Sequence, residues 1–163
     1  MSVIREEAEV IRGLFDEGGA EKGYHVRYRT ALDLVDAEGV SFSPDLVDPS
    51  LRGMAKQCYK NAGSFALFDD PARFVYVEGF AVLAGIPLSI AHAWVYDLKE
   101  DRALEVTWET PGAEYLGIPL DTEWFRAWIL LRNCWGVLDS PAILRNDADP
   151  EKYFHKKFRT AKQ

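Results

Sequence analysis

Cysteine is scarce in this chain: Cys58 and Cys134 are the only two among 163 residues. That is too few for a disulfide framework in a domain of this size. The three histidines, His25, His92 and His155, are scattered along the chain, and with two cysteines they do not form the ligand spacing of a zinc site. No metal and no cofactor is therefore expected. No apolar run approaches the ~18 residues of a membrane span. Met1 to Glu9 is charged and lacks the apolar core of a secretory signal, so a cytoplasmic location is expected. Basic charge is outnumbered, with 19 Lys and Arg against 26 Asp and Glu and a net charge of −7. An acidic surface repels phosphate backbones, which argues against general nucleic-acid binding. The one basic stretch, Lys152 to Lys162, reads as a solvated, frayed tail. Gly18-Gly19 and Gly112 lack the flanks of a phosphate-binding loop. No repeat or heptad is present, so nothing favours a scaffold protein.

What the chain does have is apolar and aromatic mass: 48% hydrophobic residues, with five Trp, seven Tyr and nine Phe. A chain of this length forms one domain over residues 1–163, with a polar tail from about 144. Val3 to Phe15 has an amphipathic helical stripe that ends at Gly18-Gly19. His25 to Arg29 suits a short strand and Ala31 to Val35 a helical turn. Ser41 to Ser50, with Pro44 and Pro49, reads as a loop. Leu51 to Leu67 follows as a helix carrying Cys58, stopped by Asp69-Asp70-Pro71. The period then changes to two. Arg73 to Leu83, Leu88 to Leu98 and Ala103 to Trp108 read as three strands joined by short turns, an antiparallel meander. Tyr115 to Leu120 reads as a fourth, edge strand. Asp121 or Thr122 caps a Trp-rich helix through Asn133, whose aromatics, with Cys134 at its end, read as core. The expected fold is α+β: N-terminal helices packed on a meander, followed by a C-terminal helix.

The order Cys58, His92, Glu105 places a thiol on a helix, an imidazole on a strand and a carboxylate on the next strand. A thiol needs a nearby base to become a nucleophile. The base in turn needs an acceptor for its other ring nitrogen. Residues 92 and 105 face each other across a hairpin centred between Leu98 and Lys99, and cross-strand Cβ atoms lie only ~5 Å apart. A one-residue slip would turn the glutamate to the other face. The rival acid Asp97 sits on the opposite face of the histidine's own strand.

The runs Gln57-Cys58-Tyr59-Lys60-Asn61, Tyr76-Val77-Glu78-Gly79, His92-Ala93-Trp94 and Glu105-Val106-Thr107-Trp108 resemble the papain-like and transglutaminase-like cysteine hydrolase superfamily. They are most similar to its small bacterial and phage members. The match spans roughly residues 54 to 120. The resemblance implies a papain-like α+β fold with Cys58 as nucleophile and His92 as base. Glu105 stands where the family usually has aspartate, and its longer arm demands a different strand offset. Gln57 and Asn61 are candidate oxyanion donors, each with a structural alternative. Trp94 is a candidate cleft residue, and Glu78 either contacts substrate or faces solvent. The expected activity is hydrolysis or acyl transfer at an amide or thioester of a peptide, protein or small amide. The alternative is a catalytically degenerate binding protein on the same fold, such as a phage or mobile-element accessory factor. Oligomeric state is not legible in the sequence.

Overall fold

The structure is a computed structural model that describes residues 1–17, 27–145 and 150–159. Among the described residues it is α+β, with seven helices and a mixed six-stranded sheet. Helix α1 (Val3–Glu17) turns Ile4 and Ala8 inward, while Val10 and Leu14 face outward. Helix α2 (Ala31–Glu38) begins at Thr30, whose side chain accepts from the Asp33 amide. The Gly18-Gly19 stop and the first two residues of the expected His25–Arg29 strand lie outside the described residues, and Arg27 to Arg29 form no strand but a bend leading into α2.

The segment expected as a loop, Ser41 to Ser50, instead supplies two short strands, β1 (Val40–Phe42) and β2 (Asp45–Leu46). Their brevity hides the period-two signal. The hairpin strands β3 (Phe74–Val82) and β4 (Ser89–Asp97) pair along their whole length, from Phe74 opposite Asp97 to Val82 opposite Ser89. Strand β5 (Arg102–Glu105) is shorter than expected because the Glu105 carboxylate captures the amides of Thr107 and Trp108, ending the ladder.

The order β1-β6-β3-β4-β5-β2 departs from a meander in two places. Strand β6 (Glu114–Pro119) crosses back to pair with β3, and β1 covers its other side, so it is an interior strand and not an edge. Strand β2 runs parallel to β5. Three strand spacings separate β1 from β4, or ~14 Å in a flat sheet. Yet the Phe42 ring on β1 lies 5.6 Å from Trp94 and 5.9 Å from Tyr96 on β4. The sheet is therefore curled, with these rings inside the curl.

The opposite face carries helices. Tyr76 of β3 stacks on Phe125 of α4 (Thr122–Arg132) at 4.0 Å, and Gly63 of α3 (Cys58–Ser64) fits against Phe125 and Trp135 with no room for a Cβ. Helix α4 starts at Asp121, which accepts from the Glu123 and Trp124 amides, and ends at Asn133 in the left-handed conformation. Of its aromatics, Phe125 is fully buried, but Trp124 and Trp128 are half-buried, so the helix is not simply core. The basic C-terminal run is not a frayed tail where it is described. Short helices α5 (Pro141–Leu144), α6 (Pro150–Tyr153) and α7 (Lys156–Arg159) bury Ile143, Tyr153, Phe154, His155 and Phe158. Apolar residues spaced between the lysines anchor it. No helix among the described residues is long and apolar enough to cross a membrane.

Candidate active site

Cys58 opens α3, which is much shorter than the expected Leu51–Leu67 helix. The chain ahead of it is held out of helix by contacts with the sheet. The Gly53 amide bonds to the Val106 carbonyl at 2.8 Å, and Lys56 adopts a positive φ of 63°. Asn61, one turn into α3, donates to the Met54 carbonyl at 2.7 Å and to Thr107 Oγ1 at 3.0 Å. A Cβ on residue 53 would lie 2.1 Å from the Asn61 side chain, so only glycine allows this clamp. Past Ser64 the helix widens into one π-helical turn, Phe65–Asp69.

Helix α3 packs on β4, whose first half has no β5 partner. Ile90 and Ala91 are exposed there, and His92 is the first fully buried residue of the strand. His92 Nε2 and Glu105 Oε2 lie 2.8 Å apart. The Cys58 side chain also acts on the imidazole and favours its protonated form. With Nε2 engaged by the carboxylate, Nδ1 is the nitrogen left for the sulfur.

Each charge in this group has a physical cause. Burial alone pulls the imidazole toward its neutral form, but the Cys58 side chain and the Glu105 carboxylate beside it outweigh this, so its pKa stands above the usual histidine value. Burial likewise raises Glu105, and it is overcome by the bond to His92, the imidazole charge and the Trp108 and Thr107 amides, so its pKa falls below the usual carboxylate value. Glu105 has four donors: Thr107 N at 2.9 Å, Trp108 N at 3.0 Å, Tyr115 Oη at 2.9 Å and the imidazole. A buried carboxylate with that many donors is held ionised.

Two aromatic residues at the site were not singled out in the sequence. Trp108 stacks on the imidazole at 3.9 Å with 18° between the planes. Tyr115 donates to the same glutamate oxygen as His92, and its own oxygen accepts from the Gly112 amide at 2.8 Å. Trp108 sits three residues after Glu105, a spacing that could have drawn notice once the strand was known to stop at Glu105. Nothing local marks Tyr115, because its strand lies inside the sheet between β1 and β3 and not at the edge, as its position after the other strands suggests.

The other candidate residues lie apart from this cluster or are already committed. Asn61 spends both amide hydrogens on Met54 and Thr107, so it has none for an oxyanion. Gln57 is half-buried at the head of α3, and its amide approaches only the Met54 sulfur, at 3.9 Å. Trp94 is fully buried over Gly117, behind the histidine, and cannot line an open cleft. Glu78 neither faces solvent nor stands free. It accepts from the Val137 and Leu138 amides and from Tyr76 Oη at 2.7 Å, tying the loop after α4 to the sheet. Asp97 is held by Arg73 in a two-pronged ion pair at 2.8 and 2.6 Å. Cys134, expected in the core, is exposed, because α4 ends before it. Among the described residues no three His, Cys, Asp or Glu side chains gather as metal ligands.

Comparison with family models, with curated proteins and with solved structures finds no significant match to this chain.

Proposed function

We propose that the chain is a papain-like thiol hydrolase or acyltransferase. Cys58 attacks the carbonyl of an amide or thioester in a peptide, protein or small amide, with His92 as base and Glu105 as its orienting acid. The observation that carries this reading is one buried imidazole 2.8 Å from a four-donor carboxylate, with the Cys58 side chain near enough to favour its protonated form. A cysteine-bearing helix set against the histidine strand of an antiparallel hairpin supports the papain-like assignment.

In the first step the Cys58 sulfur bonds to the carbonyl carbon, and its proton passes to His92 Nδ1. Glu105 accepts from Nε2–H, which fixes the tautomer and stabilises the imidazolium. Collapse of the tetrahedral adduct breaks the bond to the amine or thiolate, which leaves with the proton from His92. Water or an amine then attacks the thioester, His92 takes the attacker's proton, and the sulfur departs as the thiol.

The two cysteines supply the test. Cys134 is exposed and Cys58 half-buried, so labelling governed by access alone favours Cys134. Iodoacetamide at neutral pH, with labelled peptides quantified by mass spectrometry, should modify Cys58 faster, and His92→Ala should abolish the difference. Preferential labelling of Cys134 in the native protein would leave the degenerate binding protein as the reading to adopt.

A further inference from the structure

A pocket away from the thiol has its own chemistry. It is a cavity of about 550 Å³ where α4 meets the C-terminal helices, within the range of small-ligand sites. One wall is aromatic. Trp124 and Trp128 stack at 5.2 Å and 21°, and Tyr153 meets Trp124 at 5.5 Å. Arg132, Arg145 and Lys152 also line it, and among the described residues no acidic side chain does. Arg132 lies over the Trp128 ring at 5.0 Å. None of the three cations has an ion-pair partner among the described residues, whereas seven other cationic side chains (Arg5, Arg12, Arg52, Arg73, Arg102, Arg126 and Lys157) do.

In a chain with net charge −7, three cations unpaired among the described residues and lining one aromatic-walled cavity run against the overall field. Like charges brought together cost free energy unless an anion joins them. The wall offers flat apolar area for a ring, and two guanidinium groups and an ammonium offer donors for a carboxylate or phosphate.

We propose that this cavity binds a small planar anion, an aromatic ring system carrying a phosphate or carboxylate. The ring packs against Trp124, Trp128 and Tyr153, and the anionic group bonds to Arg132, Arg145 and Lys152. Neither Cys58 nor His92 lines the cavity, so the proposal stands independently of the hydrolase reading.

Calorimetric titration of the full chain tests it. Adenosine 5′-monophosphate and 1-naphthoate represent the phosphate and carboxylate versions, and the tighter of the two identifies the class. Adenosine and 1-naphthol supply the ring without the charge, and inorganic phosphate and acetate supply the charge without the ring. At least one planar anion should bind saturably at one site, with its ring-only and charge-only counterparts each about tenfold weaker or more. Arg145→Ala with Lys152→Ala should weaken that binding at least about tenfold while leaving the melting curve unchanged, since both side chains are exposed. Cys58→Ala should bind as the native protein does. Absence of saturable binding by both planar anions, or unchanged affinity in the double variant, would overturn the proposal.

Discussion

Glu105 reaches His92 along a diagonal of the sheet. The β4–β5 ladder pairs Val95 with Leu104 and Tyr96 with Ala103. Continued one step, that register sets Glu105 across from Trp94, two residues beyond His92. Diagonal neighbours on one face have Cα atoms ~7–8 Å apart, too far for a short side chain and within the reach of a glutamate. The two-residue offset from direct pairing keeps the carboxylate on the histidine's face. It also accounts for glutamate at this position.

Shortening the arm tests that geometry. Glu105→Asp should lose contact with the ring, and Glu105→Gln should keep the shape while losing the charge. Both should lower the Cys58 alkylation rate at neutral pH by about tenfold or more. Asp97→Asn is the control, because Asp97 serves Arg73 on the other face. It should cost about 2 kcal/mol of stability in urea melts and leave alkylation unchanged. Equal effects of Asp97→Asn and Glu105→Gln on alkylation would remove Glu105 from its role.

Tyr115→Phe deletes one of the four donors to Glu105. The carboxylate then keeps more of its basicity for the imidazole, so the His92 titration followed by NMR should move further upward. Stability should drop by about 1 kcal/mol. A downward or absent shift would mean that the tyrosine does not act through Glu105.

Glu78 makes stability depend on pH in an unusual direction. Burial pushes its pKa up to about 7, against the pull of the Leu138 amide, Tyr76 and the Val137 amide, from an ordinary 4.5. Between those values the folded state binds more proton than the unfolded chain, so stability falls as pH rises, by about 3 kcal/mol in total. Glu105 is depressed, so its contribution is present above 4.5 and is lost as pH falls through its folded value. His92 is raised, so its contribution is complete below 6.5 and fades as pH climbs through its folded value. The urea midpoint should peak near about pH 5 and decline toward neutrality, and Glu78→Gln should flatten the decline. An unchanged slope in that variant would assign the pH dependence elsewhere.

Gly117→Ala probes the packing behind the histidine. A Cβ there would lie 2.6 Å from the Trp94 ring and 2.9 Å from the Glu78 carbonyl. The indole must shift, at about 1–3 kcal/mol, and its neighbour His92, 6.3 Å away, should show a changed NMR environment. A thermal melt and NMR spectrum identical to those of the native protein would contradict this account.

The β3–β4 hairpin was legible because two runs rich in Val, Phe, Tyr and Ala flank a turn that holds Gly85 and Pro87. The Cys58, His92, Glu105 order was legible because strand parity survives an error of two residues. The start of α3 was not legible. Leu51 to Gln57 contains good helix formers, but contacts from Val106 and Asn61 override their propensity. The C-terminal run misled because its lysines dominate the composition, whereas Tyr153, Phe154 and Phe158 decide its burial.

By itself the sequence determined the α+β class, the long hairpin and which residues supply a thiol, an imidazole and a carboxylate, since these follow from local periodicity and side-chain type. Only the tertiary structure decided that β6 is interior, that Trp108 and Tyr115 join the histidine and glutamate, and that Asn61, Glu78 and Trp94 are occupied elsewhere. Those outcomes depend on contacts between residues far apart in the chain, made when the sheet curls and brings its strands' side chains together.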